Sequence, residues 1–77
     1  MSDVVPQIKQ ILSDLFDVSV DKLSMESSTA NVDGWDSLGQ LLVVVELELQ
    51  FDVQISPERG EGLTSIARIE EFLNACL

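Results

Sequence analysis

An all-α fold, a small bundle of three to four helices, is what this sequence predicts, and three observations predict it. Apolar residues recur at helical spacing in separate segments near the start, the middle and the end of the chain. Helix-start chemistry stands before the later segments: Asp36-Ser37, Ser56-Pro57-Glu58 and Thr64-Ser65. The one β-branched run, Leu41 to Val45, lies in an unbroken helical frame with no turn signal inside it. It is therefore read as helix despite its strand propensity.

The first helix is expected from about Val4 to Phe16. Val4, Ile8, Ile11, Leu12 and Leu15 share one stripe, with Phe16 beside them. Pro6 suits a first turn, where its missing N–H costs nothing, and Ser2 or Asp3 is expected to cap. A long connection follows, from about Asp17 to Asp36, rich in Ser, Asp, Asn, Thr and Gly. A loop near 20 residues is unusual in a compact domain unless it has function or packs by its own side chains. Val18, Val20, Leu23, Met25, Val32 and Trp35 are the expected anchors, with a short helical turn near Val20 to Leu23.

The second helix is expected from Asp36 or Ser37 to about Phe51. Asp36 is its N-cap, because a carboxylate there accepts from free backbone N–H groups and complements the helix dipole. Ser56-Pro57-Glu58 signals another start, but Gly60 and Gly62 follow at once, each costing about 1 kcal/mol relative to Ala. This third helix is expected to be short or unformed. The last helix starts at Thr64 or Ser65 and buries Ile66, Ile69, Phe72 and Leu73, with Glu70 and Glu71 outward.

On a helical wheel of about 100° per residue, the second helix has two apolar faces. Leu38, Leu41, Leu42, Val45 and Leu49 form one; Val43, Val44, Leu47 and Phe51 form nearly the opposite one. A surface helix needs only one apolar stripe. This helix is either central in the bundle or offers one stripe to a partner, and periodicity does not decide which stripe is outside.

Composition narrows the function. The chain of 77 residues is expected to be one domain, residues 1–77, too small for a deep catalytic cleft with its supporting shell. Fourteen acidic residues against four basic ones and no His give a net charge of −10. That argues against nucleic acid and against anionic membrane surfaces, and favours solubility and basic partners. With 45% apolar residues the chain should nevertheless fold. No His is present to act as general base, and the single Cys76 has nothing to activate it, so no catalytic residue is expected and an enzyme is not. One Cys also suits a reducing, cytoplasmic compartment. No metal site is expected: Asp33-Gly34-Trp35-Asp36 lacks the alternating ligands and closing Glu of a calcium loop. The N-terminus has no signal-peptide pattern, and the Met start without linker composition leads to the expectation of a free-standing protein. No apolar run is long enough for membrane insertion.

The segment Gly34-Trp35-Asp36-Ser37-Leu38, halfway along an acidic chain, after a long loop and at the head of an apolar helix, closely resembles the acyl carrier protein family. The family's Asp-Ser-Leu motif is matched by Asp36, Ser37 and Leu38, and the likeness runs on through Phe51-Asp52, Ile55 to Glu58 and the closing helix. The resemblance implies a bundle of the acyl-carrier type with Ser37 carrying 4′-phosphopantetheine, placed there by a phosphopantetheinyl transferase (holo-ACP synthase). Asp36 is implied in transferase recognition. Leu38, Leu41, Leu42, Val45 and Leu49 are expected to contact partners, the acyl-loading and acyl-transferring enzymes, with the protein itself a monomer. Val43, Val44, Leu47 and Phe51 match the family's core, which can open around an acyl chain. The fatty-acid type usually has acidic residues after the motif, where this chain has Gly39, Leu42 and Leu49. Trp35 and Gly39 are more similar to specialised carriers of secondary metabolism or dedicated lipid pathways. The alternative is an acidic helical interaction module with no prosthetic group, its apolar stripe binding a partner helix.

Overall fold

A computed structural model describes residues 4–76, and within them every regular element is helical. Helix α1 spans Val5–Phe16, a 3₁₀ turn spans Val20–Lys22, α2 spans Ser37–Phe51, α3 spans Pro57–Glu61 and α4 spans Ile66–Cys76. Helix α1 packs on both α2 and α4, and α3 packs on α2. Each long helix turns its stripe inward: Ile8, Ile11 and Leu12 from α1, Val43 and Leu47 from α2, and Ile66, Ile69 and Leu73 from α4 are all buried. Loop residues Leu23, Val32 and Trp35 complete the core.

The long connection is ordered by its own polar side chains, which is why its composition is rich in Ser and Asn. The Ser27 hydroxyl accepts from the Ser24 N–H at 2.9 Å, and Asn31 Oδ1 accepts from the Ser28 N–H at 2.9 Å. The Asn31 amide donates to the Glu26 carbonyl at 3.1 Å. Such side-chain turns stand in for secondary structure. The loop is then fastened to the start of α4: Thr29 N–H donates to the Thr64 carbonyl and Ile66 N–H to the Ser27 carbonyl, each at 3.0 Å.

Some expectations need correction. Val20 and Met25 are exposed rather than anchoring the loop, because the internal hydrogen bonds already hold it. The residue preceding α1 is Val4, which makes no side-chain cap; Ser2 and Asp3, expected to cap, lie outside the described residues. Helix α3 does form. Ser56 caps it by accepting from the Arg59 N–H at 3.2 Å, and Gly60, counted as a weakness, is where it touches α2: a Cβ there would lie 3.2 Å from Val44 Cγ2. Leaving α2, the chain takes a left-handed turn at Asp52, and the Glu48 carboxylate accepts from the Ile55 N–H at 3.0 Å.

Candidate functional site

The N-terminus of α2 is built from both sides. Before it, Gly34 takes φ +89°, a conformation that suits glycine. Trp35 follows and is 1% exposed, stacked on Phe16 with ring centroids 6.2 Å apart. Asp36 is the N-cap: its carboxylate accepts from the Gly39 N–H at 3.0 Å and its carbonyl from the Gln40 N–H at 2.7 Å. Ser37 is the first residue of the helix and is exposed. Within the first turn, Asp36 takes the Gly39 N–H, while those of Ser37 and Leu38 precede any intrahelical partner.

Gly39 is buried where the helix meets the loop. A Cβ at this position would lie 2.3 Å from the Gly34 carbonyl oxygen and 2.8 Å from a Phe16 ring carbon. Nothing larger than hydrogen fits, so the position that looked like a departure from the fatty-acid pattern is set by packing. The helix start is thereby pressed onto the loop and α1, and Ser37 stands on a rigid support.

A groove of about 640 Å³ opens beside Ser37. Its walls come from Trp35, Gln40 and Val44 on one side and from Pro57, Gly60 and Thr64 on the other. Gln40 crosses between them. Its amide donates to the carbonyls of Gly60 at 2.6 Å and Leu63 at 2.8 Å, and its carbonyl accepts from the Trp35 indole N–H at 2.6 Å. Sequence reasoning passed over Gln40. Its signal was present: on the wheel it falls in the middle of the Val43, Val44, Leu47 and Phe51 stripe, where a polar side chain must find partners. A buried Trp five residues earlier needs one as well.

Turning away from the core, α2 exposes Leu38, Leu41, Leu42, Val45 and Leu49, from 46% at Leu42 to 72% at Leu49. These form one continuous apolar face that begins beside Ser37. On the opposite face Val43 and Leu47 are fully buried, while Val44 and Phe51 pack partly buried against the core.

A curated protein with the name acyl carrier protein, from Buchnera aphidicola subsp. Schizaphis graminum (strain Sg), is 28% identical to this chain over 74 residues, covering 96% of the chain and 94% of the relative. Over nearly its whole length the chain is similar to an acyl carrier protein. No family model matches it. The alignment spans nearly all of both proteins, so the likeness is not confined to the segment around Ser37.

The residues at the helix start fit a phosphodiester-linked arm. The Ser37 hydroxyl is exposed, the helix N-terminus favours a negative charge, and the adjacent groove has room for a chain. No helix among the described residues is long and apolar enough to cross a membrane.

Proposed function

We propose that the protein is a carrier whose Ser37 bears 4′-phosphopantetheine, acting as a monomeric single domain in the cytoplasm. A phosphopantetheinyl transferase joins the arm to the Ser37 hydroxyl from coenzyme A. Asp36 contributes to recognition by that enzyme and, as N-cap, keeps the first turn of α2 formed so that the hydroxyl stays at an exposed corner. When attached, the arm supplies a terminal thiol that holds acyl groups as thioesters. The residues of the chain do the rest: the buried Trp35 and Gly39 position Ser37, and the face of Leu38, Leu41, Leu42, Val45 and Leu49 meets the enzymes that load and receive the acyl group.

The observation that carries this reading is the exposed Ser37 at a capped helix N-terminus, beside both a groove and an uncovered apolar face. A phosphodiester there is favoured by free backbone N–H groups. Chemistry borne on an arm also needs no triad, and the chain contains no His to build one. The cargo belongs to fatty acid, lipid or polyketide-type biosynthesis. Leucine at 42 and 49, in place of the acids usual in fatty-acid carriers, favours a dedicated pathway.

Intact mass spectrometry after incubation with coenzyme A and a broad-specificity transferase tests the proposal. The wild type is expected to gain one phosphopantetheine and Ser37→Ala none. If the two remain alike and unmodified, the apolar face alone stands, as the binding surface of an interaction module.

A further inference from the structure

The amide of Gln40 joins three segments on one side chain: the loop before Ser37 through Trp35, α2 itself, and the end of α3 with its link to α4 through Gly60 and Leu63. The indole N–H can only donate and the two carbonyls can only accept, so the chemistry of the partners sets the orientation of the amide. Both of its donors are used. One turn further along α2, the Gly60 backbone lies against Val44, with no room for a Cβ without displacement. Helices α2 and α3 are thus closed on each other at two successive levels. The groove beside Ser37 is lined by Val44 and Gly60, whereas the buried Val43, Leu47 and Leu63 belong to the core and not to the groove.

We infer that Gln40 and Trp35 are specificity-determining residues that confine cargo to this outer groove, so that the protein carries short or polar acyl groups and keeps long alkyl chains out of its core. The inference rests on the proposal that cargo is attached at Ser37. An alkyl chain entering between α2 and α3 must part Gly60 from Val44 and break the bonds of Gln40, leaving amide donors facing hydrocarbon, which is unfavourable. A short group does not reach that level. The groove also offers polar partners to a short cargo, with Thr29, Thr64 and Glu61 among its walls.

The test loads Ser37 with acetyl-, hydroxybutyryl- or octanoyl-phosphopantetheine from the corresponding coenzyme A thioesters. It follows the Trp35 indole N–H and the Val43 and Leu47 methyl signals by NMR, and the melting temperature. In the wild type, the octanoyl form should keep the methyl signals of the acetyl form and melt within roughly 1 °C of it. In Gln40→Ala the octanoyl chain should shift those methyls and raise the melting temperature over the acetyl form by roughly 4 °C or more. Trp35→Phe, which keeps an aromatic ring in the core but removes the indole N–H together with part of the ring volume, should fall between, and carries the comparison if Gln40→Ala does not fold. Octanoyl-dependent methyl shifts and stabilisation in the wild type overturn the inference while leaving the carrier reading intact. So does a Gln40→Ala protein, or failing that a Trp35→Phe protein, that responds like the wild type. If no thioester adds mass at Ser37, the carrier reading falls and takes this inference with it.

Discussion

Gly39 shows how much one missing methyl group can decide. Ala would gain about 1 kcal/mol over Gly in helix propensity. The added Cβ, however, would lie 2.3 Å from a backbone oxygen of Gly34, which cannot swing aside as a long side chain could. Overpacking of this kind costs about 1–3 kcal/mol, so Gly39→Ala is expected to lower stability in a urea titration; a stabilised variant would show that the contact yields freely. Asp52 should behave in the opposite sense. It holds φ 52° at the C-terminus of α2, where a β-carbon is strained and a negative charge opposes the helix dipole. Asp52→Gly relieves both and should raise stability by about 1 kcal/mol in the same titration. Ser37 and Asp36 were legible in the sequence because a helix cap is a local signal. Gln40 was not recognised, because its partners at Gly60 and Leu63 are 20 and 23 residues away.

Among the elements, α2 carries two faces of opposite duty, and substitutions should separate them. Leu49 is 72% exposed and Leu47 is fully buried, although both are leucines two residues apart. Leu49→Glu should change stability by no more than about 0.5 kcal/mol, as for an ordinary surface site. Leu47→Glu places an unpaired charge in the core and should cost about 4 kcal/mol or more, enough to unfold a domain this small. Circular dichroism melts of the two variants decide the matter, and a reversed ranking would mean that the faces are exchanged. Helix α3 has only five residues, too few to be stable alone. It is held by the Ser56 cap, the Gly60 contact with Val44 and the Gln40 bridge. Its amides should therefore exchange with deuterium faster than those in the middle of α1, α2 and α4. Its start was legible from Ser56-Pro57-Glu58. Its persistence was not, because glycine reads as a helix breaker until the close neighbour that requires it is known.

Over the whole molecule, a net charge of −10 is held within a Cα radius of gyration of 11.1 Å, about the size expected for a folded chain of this length. Such charge density opposes the compact state, so added salt should raise the melting temperature by screening self-repulsion; a fall would overturn this reading. The charge is unevenly spread. Seven of the fourteen acids precede Ser37 and five follow Phe51, leaving only Glu46 and Glu48 on α2. Glu48 is further occupied with the Ile55 N–H. The face beside Ser37 is therefore apolar within an acidic molecule, suited to contacts that are mainly hydrophobic. By itself the sequence determined the helices, the cap at Asp36, the position of Ser37 and the pairing of two apolar stripes on α2, because each follows from spacing and from neighbours within one or two turns. Periodicity left open which stripe faces outward; the resemblance implied it and the tertiary structure shows it. Only the tertiary structure decided why residue 39 must be glycine and that Gln40 joins Trp35 to α3. Each of these depends on where α1, α3 and the long loop come to rest against α2, and helical periodicity carries no information about distance between elements.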